Sequence, residues 1–178
     1  PDRGQAEALN RGFARARGEV ICWLNSDDWY LPGAWAAVRA ALADPSVDVV
    51  YGHTRVHDER HGSEWTSRAV FGNRLDYLTW ENIKLHQPAV FFRRRLLADV
   101  GNLREDLHYV MDMEFFWRCS ERHRWRMVDR ELAVQRYHAD AKTIARGSDF
   151  LAERKRVFDA LLRTHARGNW RALWWRRQ

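Results

Sequence analysis

Apolar positions follow two rhythms along this chain, and the alternation between them predicts an α/β protein. Residues 4–17 (GQAEALNRGFARAR) place Ala8, Leu9, Gly12, Phe13 and Ala16 at helical spacing, with Gly18 as a stop. The run VICWL at 20–24 is unbroken and too short for a helix, which predicts a strand buried on both faces of a parallel sheet. A second helix is expected over 34–42 after Pro32 and Gly33, and a second strand over 47–54 after the turn signal Asp44-Pro45-Ser46. Residues 55–74 are polar and irregular, as in an edge hairpin or loop, and 75–83 read as a short helix. PAVFF at 88–92 predicts a strand, 96–100 a short helix closed by Gly101, and 111–123 a helix with acids in its first turn. Residues 125–137 read as a strand pair and 150–165 as an amphipathic helix.

Charge changes this picture only at one end. The formal net charge is +6, yet residues 1–145 carry 21 basic and 21 acidic side chains, whereas 146–178 carry nine basic against three acidic. The body is balanced and the tail alone is basic. Cys22 and Cys119 lack metal-ligand spacing and are expected to be buried small hydrophobes in a reducing compartment. No run of about 18 apolar residues suggests a membrane span, and a cytoplasmic location is expected. His53, His57 and His61 would align only on a helix; VDVVYG before them reads as strand, so no metal cluster is expected there.

Candidate chemistry sits at the end of the first strand. In open α/β sheets ligands bind beyond the carboxyl ends of the strands, where Asn25-Ser26-Asp27-Asp28 falls. Two carboxylates with an amide could hold a hard divalent ion that keeps positions open for a diphosphate. By spacing alone the same pair also reads as a helix cap or a turn.

The run GQAEALNRGFARARGEVICWLNSDDWYLPGA, residues 4–34, resembles the middle of the family 2 inverting glycosyltransferases. Those enzymes carry Gly, Ala, Asn and Gly at the intervals of Gly4, Ala8, Asn10 and Gly12, on a helix leading to a strand. That strand ends in an Asp-x-Asp motif, which binds Mg²⁺ or Mn²⁺ on a nucleotide-sugar diphosphate. The match puts Asn25 at the first Asp position and Asp27 at the second, with Asp28 beside it; Asn25 departs from the motif, keeping an oxygen but no charge. The resemblance implies a GT-A fold, with a mixed, mostly parallel sheet flanked by helices.

The same resemblance extends to about residue 145. It assigns Asp112 in YVMDMEFFWR as catalytic base, since an acceptor hydroxyl must lose its proton as it attacks the anomeric carbon, and places Glu114 and Gln87 on the acceptor side. His138 would complete the metal site with Asp27 and Asp28, imidazole being more natural for Mn²⁺ than for Mg²⁺, and Lys142 would join Asn25, Asp27 and Asp28 on the diphosphate. From spacing alone Asp112 and Glu114 also read as ordinary helix-start acids, and His138 as a partly exposed polar residue. The implied partners are a UDP-, GDP- or dTDP-sugar and a saccharide or lipid-linked acceptor.

Two domains are expected: a partial catalytic domain over 1–145 and a basic helical extension over 146–178. The extension ends in GNWRALWWRRQ, where interleaved Trp and Arg suit a membrane surface through 166–178 on the inner face, single-stranded nucleic acid, or packing on the body. A body of balanced charge is a poor phosphate-backbone surface, so no nucleic acid is expected. The chain starts at Pro1 in mid-motif. The family's first βαβ segment, which cradles the base, is therefore expected to lie upstream, and this chain alone is expected to bind donor weakly or to be an inactive remnant.

Overall fold

The computed structural model describes residues 2–70 and 85–174, with side chains described except at 143–144 and 164–174. The chain runs α1 (Gln5–Arg15), β1 (Val20–Ile21), β2 (Trp29–Tyr30), α2 (Ala34–Ala41), β3 (Val49–Asp58) and β4 (Ser63–Ser67). After a 3₁₀ turn at Gln87–Ala89 it continues through β5 (Val90–Arg93), α3 (Leu96–Val100), α4 (Met111–Ser120), β6 (Trp125–Tyr137), α5 (Lys142–Ala145) and α6 (Gly147–Trp174). The short helix expected at 75–83 lies outside the described residues, as do the side chains of the Trp- and Arg-rich tail. Among the described residues no helix is long and apolar enough to cross a membrane.

Six strands form one mixed sheet in the order β1-β5-β3-β6-β2, with β4 paired to the outer half of β3. This is the expected α/β architecture with a mixed sheet: among the described residues β3 and β6 pair in parallel, while β1–β5, β5–β3, β3–β4 and β2–β6 are antiparallel. An unbroken apolar run reports burial on both faces, and an antiparallel strand covered on both faces meets that condition too. The 20–24 run also pairs only at Val20 and Ile21; Trp23 and the residues after it leave the ladder toward the site.

Side-chain alternation on the central strands splits the core in two. Val49, Tyr51, Val90 and Phe92 face one side, against α1, α4 and α6, while Val50 and Phe91 face the other, against α2. The first cluster is rich in rings: Trp23 stacks on Phe116 at 5.7 Å and meets Phe13 at 5.7 Å, and Phe92 packs on Phe115 at 5.2 Å. Each such pair contributes about 0.5–1.5 kcal/mol beyond its buried area. Val157 and Phe158 of α6 are buried in the same cluster, so the helix beyond residue 146 packs into the body. Cys119 is buried and Cys22 partly so, both as free thiols.

Residues 125–137 form one strand, where a strand pair was expected. The interruption at Asp129-Arg130 is a bulge: Gly52 pairs with Val128 and His53 with Glu131, and Thr54 then pairs with Ala133. Asp129, Arg130 and Leu132 thus have no opposite partner, which a polar pair without glycine does not distinguish from a turn. The bulge presses on Gly52, where a Cβ would lie 2.6 Å from a methyl of Leu132 and 2.8 Å from the Arg130 carbonyl. Gly52→Ala is therefore expected to destabilise the fold by about 1–3 kcal/mol, read from denaturant midpoints, since a backbone oxygen cannot step aside as a side chain would. An unchanged midpoint would mean that the bulge relaxes freely. His53 and His57 lie on β3 and His61 in the following turn, each bonded to a carboxylate, Asp129, Glu64 and Asp58 respectively.

Candidate active site

A cavity of about 900 Å³ opens where β1 ends, bounded by the start of α1, the 25–28 turn, the start of α4 and the end of β6. Asn25, Asp27, Asp28, Gln87, Asp112 and Lys142 all line it. Residues the sequence left scattered over more than a hundred positions therefore share one hollow.

Each side of the 25–28 turn is pinned by a different element. The backbone turn closes with Asp28 N–H donating to the Asn25 carbonyl at 3.1 Å. Asn25 accepts a hydrogen bond from the Gln5 amide at 2.9 Å and donates its own amide to Asp28 at 3.2 Å. The other Asp28 oxygen accepts from the backbone N–H of Arg136 at 3.0 Å, tying the turn to β6. Burial, reinforced by the neighbouring charge of Asp27, pushes the Asp28 carboxyl up to about 6 against the pull of the Arg136 N–H. Asp28 was expected as a metal ligand. Here both its oxygens accept hydrogen bonds, from Asn25 and from Arg136, and the residue is buried.

Asp27 points the other way, and its carboxylate lies 2.9 Å from Nε2 of His138, 111 residues later. Both side chains remain partly exposed, at 32% and 25%. Two donor atoms at this distance match adjacent positions on one ion, because octahedral neighbours at ligand distances of about 2.1 Å lie about 3 Å apart. Among the described residues no three His, Cys, Asp or Glu side chains converge as a ready-made cage. Asp27 and His138 thus fit an ion held by two protein groups, with its other positions open to water and phosphate oxygens.

On the opposite wall Asp112 sits in the first turn of α4, half-buried, accepting from the Met113 N–H at 2.8 Å. Burial pushes its carboxyl up to about 6, opposed by that N–H. Lys142 lies at the rim, donating to the His108 carbonyl, with its ammonium 5.2 Å from the Tyr109 ring centre; burial lowers its pKa. Gln87 is buried, its amide donating to the Trp23 carbonyl at 2.6 Å.

Glu114 does not share this wall. It is 4% exposed, bonded to Arg118 one turn along α4, and Arg118 in turn donates to the carbonyls of Val100 and Asn102. Glu114 was expected on the acceptor side; here its carboxylate is turned into the protein. Residues i and i+2 of a helix do not face the same way, so when Asp112 faces the cavity Glu114 must face the protein. Glu153 escaped sequence reasoning altogether. Its carboxylate accepts from the backbone N–H groups of His108, Tyr109 and Val110, and a lone acid in an amphipathic helix gives no signal of that.

An uncharacterised protein of Mycobacterium tuberculosis is 28% identical over 89% of this chain and 54% of its own length. An uncharacterised glycosyltransferase of Bacillus subtilis is 26% identical over 93% of the chain and 62% of its own length; the chain spans between half and two-thirds of these curated relatives. Among solved structures, Staphylococcus aureus TarS residues 1–349 in complex with UDP-GlcNAc superpose with a TM-score of 0.64 at 16% identity, covering 89% of this chain and 47% of that TarS fragment. The mannosyltransferase PcManGT of Pyrobaculum calidifontis, in complex with GDP-Man and Mn²⁺, gives 0.59 at 20% identity over 91% of this chain and 44% of its own. These two likenesses establish the GT-A fold. The family model for glycosyl transferase family 2 matches residues 1–101, more than half of the chain, and the chain belongs to that family.

Proposed function

We propose that the cavity holds a nucleotide-sugar donor with its diphosphate toward Asp27 and His138, and that the sugar passes to an acceptor hydroxyl with inversion. The observation that carries this reading is the contact of Asp27 with His138 across 111 residues, beside the cavity that Asp112 lines. The complexes of TarS with UDP-GlcNAc and of PcManGT with GDP-Man and Mn²⁺ support a UDP- or GDP-sugar and a divalent ion, Mn²⁺ or Mg²⁺.

When bound, such an ion would supply the positive charge that lets a diphosphate depart. The protein's part is to present the Asp27 carboxylate and a neutral His138 with its Nε2 lone pair free, which puts the imidazole proton on Nδ1. Ionised Asp112 accepts the proton of the acceptor hydroxyl as that oxygen bonds to the anomeric carbon. The bond from that carbon to the diphosphate oxygen breaks, and its electron pair leaves with the nucleotide. One displacement of this kind inverts the anomeric centre. Lys142 adds positive charge at the rim, and Gln87 lies on the acceptor side, toward a saccharide or lipid-linked hydroxyl.

Calorimetry of Mn²⁺ binding with and without UDP tests the donor side: the nucleotide should strengthen metal binding, and indifference to UDP would make the 25–28 turn structural. The acceptor side has a pH signature. A base works only when ionised, so kcat should climb with pH through about 6, where Asp112 titrates, and level off above it. A rising limb centred near 4 would mean that a solvent-exposed carboxylate is the base.

A further inference from the structure

We infer that Glu153, on α6, is a positioning residue that sets where α4 begins and so where Asp112 stands. One carboxylate oxygen accepts from the N–H groups of His108 at 3.0 Å, Tyr109 at 2.7 Å and Val110 at 3.0 Å, and the other from His108 at 3.0 Å. Three consecutive amides thus converge on one side chain more than 40 residues away in sequence. They are the residues that lead into α4. Its N-cap, Val110, has no side-chain acceptor for the free N–H groups at the helix start. Glu153 accepts instead from the N–H of that cap residue and of the two residues before it, so it fixes the chain as it enters the helix.

The carboxylate also has reason to stay. A buried charge is costly unless hydrogen-bonded, and here every contact is charge-assisted and lies at the positive end of a helix dipole. Arg156, 3.9 Å away, adds a cation at its edge. The clamped loop is gripped from two further points, for Lys142 donates to the His108 carbonyl and the Tyr109 hydroxyl reaches Asp149 of α6 at 3.4 Å. One turn beyond Glu153, Val157 and Phe158 are seated in the core, so the carboxylate is held by a fixed support. Asp112, two residues after the clamp, inherits its position.

This inference rests on the reading of Asp112 as the base, and its test separates the two. Amide hydrogen exchange at 108–110 is compared in the wild-type chain, Glu153→Ala and Glu153→Gln. Protection there should fall at least about tenfold in the alanine variant and less in the glutamine variant, which keeps one acceptor oxygen, while β3 and β5 stay protected. In turnover, Glu153→Ala should lower kcat about tenfold to a hundredfold at unchanged donor KM. In an Asp112→Asn background it should lower it no further, because a residue acting through Asp112 has nothing left to position. Unchanged exchange at 108–110 in both variants would overturn the clamp. Equal losses with and without Asp112, or protection lost throughout β3 and β5 in the glutamine variant as well, would reduce Glu153 to a stabilising contact. Turnover is read in the full-length protein; if that protein transfers no sugar, the donor reading fails while the exchange data still decide the clamp.

Discussion

Replacing Asp112 by Asn is expected to lower kcat by about 10²–10⁴-fold while leaving Mn²⁺-dependent nucleotide binding intact. The exchange is nearly isosteric, and the amide oxygen can still accept from the Met113 N–H, so α4 has no reason to move. What disappears is a group that can take a proton. The variant should also keep its stability, and the sign follows from burial. The folded carboxyl titrates near 6, against about 3.9 when unfolded. Stability contributed by the protonated group is therefore full below about pH 4 and is lost as pH rises through 6. Asn holds the neutral form throughout, so at pH 8 the variant should unfold no earlier than the wild type. A variant that lost turnover together with its melting temperature would instead mark Asp112 as structural.

The second large effect is expected at Asp27. Asp27→Ala should weaken UDP-dependent Mn²⁺ binding by more than about 100-fold, beyond what is lost when a supporting residue around a metal ligand is changed. Asp28→Asn is the informative contrast. Its side chain still offers one oxygen, suited to the Arg136 N–H, so it should cost far less than the loss of Asp27. Titration calorimetry on both variants reads the difference. If Asp28→Asn proved the more damaging, the carboxylate now facing Arg136 would have to turn toward the ion when the diphosphate binds.

Much of this site could be read from local pattern. The turn at 25–28, the acid at the start of α4 and the His after β6 each sit at the boundary of an element whose periodicity is plain. What stayed hidden was long-range. That Asp27 faces His138 while Asp28 faces Arg136 depends on how β6 runs beside β2, and no local window contains both. The antiparallel pairing of β1 with β5 was not legible either, because burial, which an apolar run does report, carries no information about polarity of pairing. Glu114 is a different case. Helical geometry alone separates it from Asp112, and the resemblance to an acidic pair outweighed a rule already in hand. Glu153 was invisible because its partners are backbone amides, which every sequence supplies and none advertises.

The bulge in β6 sets the phase of the site. Side chains alternate faces along a strand, so an odd number of extra residues inverts the alternation for everything downstream. β6 spends three more residues than β3 between Val128 and Ala133, and Arg136, Tyr137 and His138 all follow. A chain one residue shorter at 129–130 would have either to absorb the loss within the bulge or to slip Arg136, Tyr137 and His138 by one place against β2 and β3. In the second case a length change far from the cavity acts on the site as a substitution inside it would.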